Sequence, residues 1–351
     1  MKKYVSLIAV IIIIAICLSS CLIFFRPERY NSTHSNQKGV QSDQLTKNNH
    51  YPVTIQNYNY AKEPIDITFE KAPEKVLAVY QNSIEILLAL GLEDRIIAAA
   101  GLDHPVKPEF EEAFAKIEYI GRMPDKETVI MLQPDFILSW FSYFGPTRLG
   151  EVDYWHERGT NTYMMMNSFY MLANSGAGVE IKLENEYTNI LNMGKIFDVE
   201  EKAQKLVNEM KAEVEKATIY ATAEKKDQRV LIIEFTNPGW HVYRSSSLAG
   251  DMAIKIGANL IDTEGSSIGA EDLVTYNPDV LFIVYYMEDG SAGSVEEIVS
   301  RITDDPQYAS VSAVRTGRVH PVMLGEVYCS GVRTYDGIVT LAKGLYPKMY
   351  K

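Results

Sequence analysis

The sequence predicts an α/β protein with two Rossmann-like lobes, each built on a mainly parallel sheet, joined by one long α-helix. Three observations predict this fold: strand and helix signals alternate along the chain, an uninterrupted helical segment lies near its middle, and a short unit repeats on either side of that segment. At 351 residues the chain is also longer than one hydrophobic core usually organises, so two domains are expected.

The first residues predict export. Two lysines precede an apolar run over 5–18, as in a secretory signal. The Leu-Ser-Ser-Cys motif at 18–21 resembles the bacterial lipobox, so we expect a signal peptide over 1–20 and a fatty acyl chain such as palmitate on Cys21. An uncleaved anchor is the alternative, because apolar residues 22–25 extend the stretch to about the 20 residues that span a bilayer. Either way, the rest of the chain lies outside the cytoplasm.

A polar segment follows the signal. Between 26 and 50 the chain is mostly Asn, Gln, Ser, Thr and Lys, which cannot bury enough apolar surface to fold. We therefore expect a disordered membrane tether. The predicted organisation is a tether over 21–52, an N-terminal lobe over 53–197, an inter-lobe helix over 198–225 and a C-terminal lobe over 226–351.

Strand and helix signals then alternate in order. A strand is predicted at 76–79, followed by a helix at 84–90 with Ser83 as its N-cap and Gly91 as its C-cap. Further strands are predicted at 136–140, 162–165 and 229–235.

The inter-lobe helix is predicted from a segment without Gly or Pro. Between 198 and 224 apolar residues recur at helical spacing, with Glu and Lys elsewhere. A helix of this length is about 40 Å long, which suits a connection between two lobes better than a crossover within one sheet.

The repeated unit places a Glu seven residues before Pro-Asp and a strand directly after it. It occurs at Glu127 with Pro134 and again at Glu271 with Pro278, an offset of 144 in both cases. Each copy predicts a short helix, a Pro-Asp turn that ends it and a buried strand. Two similar lobes with related faces are therefore expected.

Composition excludes several function classes. The formal net charge of −12 argues against nucleic-acid binding, which needs a basic face. Cys329 is the only cysteine after residue 21, so neither a disulfide framework nor a cysteine zinc site is expected. The sequence lacks a G-x-S-x-G elbow, a P-loop, HExxH and a Rossmann glycine set, so we expect no enzyme and no cofactor.

Several ordered segments resemble the periplasmic-binding-protein family for siderophores, haem and vitamin B12: residues 71–79, 84–91, both Glu-to-Pro-Asp units, 257–260 and 317–320. The resemblance implies a ligand cleft between the lobes. It also implies that the lobes close only to a limited extent, because a continuous helix between them bends little. It further implies the substrate-binding lipoprotein of an ABC importer, which passes an iron(III) chelate such as a ferric siderophore to a permease dimer with its ATPase subunits. In this family a Glu on each lobe docks on the permease, which points to Glu127 and Glu271.

Ligands of such sheets lie beyond the carboxyl ends of the strands, where this sequence is aromatic and basic. Aromatic rings offer contact area to a flat chelate, and Arg donates to carboxylate, catecholate or hydroxamate oxygens. The iron itself is expected to be held by the chelator, with no protein ligand. The candidate ligand-binding residues are Tyr80, Trp140, Tyr143, Arg148, Trp240, His241, Tyr243, Arg244, Tyr285, Tyr286, Tyr328 and Arg333.

Alternatives remain open. Haem or a corrinoid is the second choice of ligand, since His241 or the methionines at 164–166 could serve as axial ligands, although Met in an apolar run is usually core. A sensing or adhesion lipoprotein and an exported enzyme are further alternatives.

Overall fold

The computed structural model describes residues 50–169, 179–224, 227–237, 239–286 and 294–351. The predicted signal peptide, Cys21 and the predicted tether before residue 50 lie outside these residues. Among the residues described, no helix is both long enough and apolar enough to span a membrane.

The N-terminal lobe consists of a two-stranded antiparallel hairpin and a five-stranded parallel sheet in the order β5-β4-β3-β6-β7. The sequence did not predict the hairpin. All four residues of the central strand β3 are buried, as expected of a parallel strand covered on both faces. The strands are β1 (Val53–Tyr58), β2 (Pro64–Phe69), β3 (Val76–Val79), β4 (Ile96–Ala100), β5 (Tyr119–Ile120), β6 (Phe136–Ser139) and β7 (Asn161–Met164).

The helices of this lobe cover the parallel sheet. They are α1 (Gln81–Leu90), α2 (Glu111–Phe114), α3 (Lys126–Leu132), α4 (Val152–His156) and α5 (Leu183–Ile196). Helix α1 ends at Gly91, whose φ of 73° is the left-handed conformation predicted for it. Ser83 is not the N-cap, because the helix already begins after Tyr80 and residues 81–83 are buried within it.

One helix, α6 (Glu200–Glu224), joins the lobes. Its 25 residues correspond to about 37 Å, close to the predicted length. One cluster of buried apolar side chains includes residues of the N-terminal lobe, residues of α6 such as Val207 and Met210, and residues such as Phe282 on one face of the second sheet. A second cluster covers the opposite face of that sheet.

The C-terminal lobe contains a six-stranded sheet whose main path runs β11-β9-β8-β12-β13, with β10 beside β8. It is mainly parallel, as predicted, but β9 and β11 pair antiparallel at one edge. The strands are β8 (Arg229–Phe235), β9 (Trp240–Val242), β10 (Asn259–Leu260), β11 (Ser267–Ile268), β12 (Val280–Tyr285) and β13 (Val319–Met323). The helices are α7 (Leu248–Lys255), α8 (Asp272–Tyr276), α9 (Val295–Thr303), α10 (Ser312–Arg315), α11 (Leu324–Val327) and α12 (Thr334–Leu345).

The repeated unit has the same structure in both lobes. Helices α3 and α8 end at residues in the left-handed conformation, Gln133 with φ 49° and Asn277 with φ 43°. After each Pro, an Asp carboxylate accepts a backbone hydrogen bond at the start of the central strand of its sheet. Asp135 accepts from Lys75 N–H, just before β3, and Asp279 accepts from the N–H of Arg229, the first residue of β8. The sequence repeat therefore marks equivalent positions in the two sheets.

Candidate ligand-binding cleft

Three predicted aromatic residues meet where the lobes face each other. Tyr80 follows β3, Trp140 follows β6, and their rings stack with centroids 4.2 Å apart and planes 17° apart. Tyr328 of the C-terminal lobe meets Trp140 edge-on, at 5.6 Å and 61°. The carboxyl ends of two central strands thus bring aromatic side chains to the second lobe, as the topology predicts.

Asn82 holds this aromatic group in place. Its Oδ1 accepts a 2.7 Å hydrogen bond from Trp140 Nε1, and its Nδ2 donates to Cys329 Sγ at 3.1 Å. Asn82 is buried in α1, whereas Cys329 belongs to the other lobe. The indole orientation therefore depends on a residue that also bridges the lobes.

A cavity of about 350 Å³ adjoins this group and is lined by residues of the C-terminal lobe. Three predicted residues line it, and the others were not predicted. The lining residues are Glu234, Thr236, His241, Tyr243, Ser266, Ser267, Leu324 and Tyr328. Glu234 lies near the carboxyl end of β8, so the strand-end signal that selected the aromatic residues would have found it had acidic residues been included.

Glu234, Tyr243 and His241 lie together in the lining of this cavity. The Tyr243 hydroxyl donates to Glu234 Oε2 at 2.7 Å. The rings of His241 and Tyr243 meet edge-on at 4.9 Å. Burial lowers the pKa of His241 below its usual value, outweighing the nearby Glu234 carboxylate, so His241 is neutral at neutral pH.

Arg333, one of the predicted ligand-binding residues, is not among the residues that line the cavity. It is 7% exposed, and its guanidinium forms a bidentate ion pair with Glu85 of α1, with both N–O distances at 2.7 Å. It also donates to the Pro105 carbonyl at 2.8 Å. The structure therefore corrects the prediction for Arg333: its donors are occupied by the other lobe.

The surroundings of this pair add further contacts between the lobes. Lys107 Nζ lies 2.7 Å from Asp336 Oδ2, and Glu186 Oε2 accepts from the Gly331 backbone N–H at 2.8 Å. His104 is buried beside Arg333, and neither of its ring nitrogens has a hydrogen-bond partner among the described residues.

Three more predicted residues lie outside the cavity. Arg244, predicted to bind the ligand, pairs with Asp262, with Nε 3.4 Å from the carboxylate. Trp240 is half-buried and packs on Phe235 and Tyr308. Arg148 is exposed, in the turn after the 3₁₀ helix that follows β6.

Tyr143 is a core residue. Its side chain is 1% exposed and its hydroxyl donates to the Pro124 carbonyl at 2.6 Å, which corrects the predicted ligand contact. Tyr285 ends β12 half-buried, and Tyr286 after it is 43% exposed. Met164 and Met165, considered as haem ligands, are fully buried in the core.

Glu127 and Glu271, the predicted docking residues, are both exposed at helix starts. Three residues after each lies an exposed apolar side chain: Ile130, 45% exposed, and Val274, 41% exposed. Met131, beside Ile130, is 76% exposed. Each lobe thus presents a carboxylate and an apolar side chain at equivalent positions.

Two other features could attract a ligand but lie apart from the sheet edges. A groove of about 960 Å³ is lined, among the described residues, by side chains of α5 and α6. His50, Asp198 and Glu200 form a group of metal-ligating residues, with His50 Nδ1 3.3 Å from each carboxylate, at the start of α6. Neither contains a residue predicted for the cleft.

The profile of the periplasmic binding protein family matches residues 76–321, which cover the five-stranded sheet, α6 and nearly all of the six-stranded sheet. The chain belongs to the periplasmic binding protein family. As a member of this family, it is a substrate-binding protein of the ABC-transporter type and not an enzyme.

Individual relatives agree with this assignment. The uncharacterised ABC transporter substrate-binding lipoprotein YvrC of Bacillus subtilis is 24% identical over 368 aligned positions, covering 100% of both chains. The ferric-anguibactin-binding protein FatB of Vibrio anguillarum is 21% identical over 232 positions, covering 60% of this chain and 63% of FatB. The crystal structure of a periplasmic binding protein from Veillonella parvula superposes with a TM-score of 0.78 at 34% identity, covering 86% of this chain and 93% of that one.

Proposed function

We propose that this protein is the lipoprotein of an ABC importer that captures an iron(III) chelate, such as a ferric siderophore, outside the membrane. The observation that carries the proposal is the aromatic group formed by Tyr80, Trp140 and Tyr328, in which Tyr328 also lines the cavity. Stacked rings provide rigid contact area for the planar groups of a chelate. The similarity to FatB, named for a ferric chelate, supports the same ligand class.

Tryptophan quenching tests this proposal. Purified protein that begins at residue 50 would be titrated with a ferric trihydroxamate, a ferric tricatecholate, ferric citrate, haem and cobalamin. We expect saturable one-to-one quenching by at least one ferric chelate. Absence of binding to all three iron chelates would overturn the proposed ligand class.

Haem is the second candidate, favoured by one observation. His241 lines the cavity, and burial keeps its imidazole neutral at neutral pH, the form that ligates iron. A Soret shift on adding haem that disappears in His241→Ala, with no response to ferric chelates, would favour haem. A corrinoid would instead be identified by its own absorbance bands remaining with the protein after gel filtration.

The proposed partner is a permease dimer with its ATPase subunits, contacted through Glu127 and Glu271. A two-lobed carrier over a two-fold permease can place one carboxylate on each subunit, where Arg would be the matching residue. The exposed Ile130 and Val274 beside these carboxylates support a docking role, because apolar side chains gain from being covered by a partner.

The proposed anchor is a lipid on Cys21, which holds the folded body at the outer face of the cell membrane. In cells fed an alkyne analogue of palmitate, the wild-type chain should become labelled and Cys21→Ser should not. Equal labelling of both variants would contradict the anchor.

A further inference from the structure

The charge of the cavity differs from what the sequence predicted. Arginines were expected to meet an anionic ligand, yet Arg333 is paired with Glu85 and Arg244 with Asp262. Arg148 is exposed and is not among the residues lining the cavity. Among the lining residues that the structure describes, Glu234 alone carries a charged side chain, its carboxylate.

The described part of the chain places no cation directly beside the Glu234 carboxylate. Among the described residues, no Lys, Arg or His nitrogen lies within 4.0 Å of its carboxylate. Its neighbour His241 is neutral at neutral pH, because burial disfavours the imidazolium.

The geometry leaves this carboxylate ready to accept from a ligand. Tyr243 occupies one lone pair of Oε2 with its hydroxyl hydrogen, whereas a carboxylate offers about four acceptor sites. Glu234 is half-buried, so water screens its charge less than at an open surface. Such a group binds a cationic or N–H donor group and repels a free carboxylate.

Because Glu234 is the one charged residue among the described residues of the lining, we propose that the chelate taken by this cleft carries a protonated amine or comparable cationic N–H group, which Glu234 binds. The inference rests on the proposed function. It narrows the class of ligand from any iron chelate to a chelate that carries a protonated amine or another cationic N–H group. Tyr243 positions the carboxylate, and the aromatic group formed by Tyr80, Trp140 and Tyr328 contacts the rest of the chelate.

A matched pair of ligands tests the inference. The probes are the iron(III) complex of desferrioxamine B, a linear trihydroxamate that ends in a primary amine, and the same complex with that amine acetylated. The two share their iron coordination and differ by one positive charge at neutral pH, because an alkyl amine titrates near pH 10. Affinities of the chain that begins at residue 50 would be measured by tryptophan quenching and calorimetry.

The wild-type protein should bind the amine form more tightly by roughly ten- to a hundredfold, the usual effect of one charge-assisted hydrogen bond. Glu234→Gln keeps an oxygen to accept from Tyr243 but removes the charge, so it should bind both forms with the affinity that wild type has for the acetylated one. Glu264→Gln removes the same charge at an exposed position of this lobe that is not in the lining, and should retain the preference.

The acetylated form reports the proposed function alone. If wild type binds both forms equally, or if Glu234→Gln keeps the preference, the role of Glu234 is wrong while the function stands. If wild type binds neither form, the proposed ligand class fails for hydroxamates and the inference fails with it. Thermal melting of each variant verifies that it is folded.

Discussion

Glu85 and Arg333 form a bidentate ion pair across the two lobes, although 248 positions separate them in the chain. Glu85 is 0% exposed and Arg333 7%. Burial disfavours the guanidinium charge, yet the hydrogen bonds and negative charge of Glu85 leave the Arg333 pKa above its usual value. The Arg333 guanidinium therefore keeps its charge inside the contact between the lobes.

Removing one partner of this pair should destabilise the protein. In Arg333→Ala the buried Glu85 loses its counter-charge, and we expect the free energy of unfolding in urea to fall by about 3–5 kcal/mol. The double variant Glu85→Leu, Arg333→Leu replaces both charges with apolar groups and should lose less than either single leucine variant. Loss of chelate affinity by Arg333→Ala without loss of stability would instead restore Arg333 as a ligand contact.

The aromatic group should report on the ligand. Trp140 is stacked on Tyr80 at the cleft, so Trp140→Phe should abolish most of the fluorescence quenching by a bound chelate. Trp155 is 2% exposed and donates to the Leu149 carbonyl, which makes Trp155→Phe the matched control that keeps the quenching. The reverse pattern would show that the chelate does not bind beside Trp140.

The same stack should contribute to affinity. Tyr80→Ala removes one ring of the pair and should weaken chelate binding by roughly two- to tenfold, the range for one aromatic contact. Isothermal calorimetry measures the change directly. An unchanged dissociation constant would show that Tyr80 only packs against Trp140.

The docking residues should affect transport and not binding. Glu127→Ala with Glu271→Ala should abolish uptake of labelled iron chelate by cells while leaving affinity and melting temperature nearly unchanged. Glu112→Ala with Glu296→Ala removes two exposed carboxylates from first turns of other helices, one in each lobe, and should leave uptake intact. Normal uptake by the first pair at equal surface level would remove the docking role.

His104 should make the stability depend on pH. Burial first, and then the charge of Arg333, lower its pKa to about 4 in the folded protein, whereas the unfolded chain titrates near 6.5. Between these values the unfolded state binds the extra proton, so the contribution of His104 to stability is present above pH 6.5 and is lost as the pH falls towards 4.

In His104→Gln this part of the pH dependence should be missing. From pH 7 to pH 5 the wild-type free energy of unfolding should fall by about 1–2 kcal/mol more than that of the variant. Urea titrations at both pH values measure the difference. Parallel behaviour of the two proteins would show that His104 titrates normally in the folded state.

Local sequence signals predicted much of the fold. The alternation of strands and helices, the inter-lobe helix and the repeat at an offset of 144 are properties of short segments, and the structure has them. The hairpin β1–β2 was missed for a local reason. Polar and apolar residues alternate in its strands, and the strands directly follow the polar segment, so their sequence resembles the end of that segment.

The chemistry of the cleft was less predictable. Tyr80 and Trp140 directly follow strands, and Tyr328 meets Trp140 from the other lobe. Nothing in the sequence near Arg333, however, indicates Glu85 as its partner. The burial of Tyr143 depends on the loop that carries Pro124. Whether a side chain is already paired depends on tertiary contacts. For this reason the described lining carries a carboxylate where arginines were expected.

The apolar cluster that includes Val207 and Met210 of α6 also includes side chains of both lobes. Neither lobe can melt without exposing surface that the other covers, so calorimetry of the chain from residue 50 should give one endotherm, not two. For the same reason a fragment that stops after α6 should remain insoluble, because it exposes the apolar surface that the C-terminal lobe covers. The two lobes are separate in topology but form a single cooperative unit of folding.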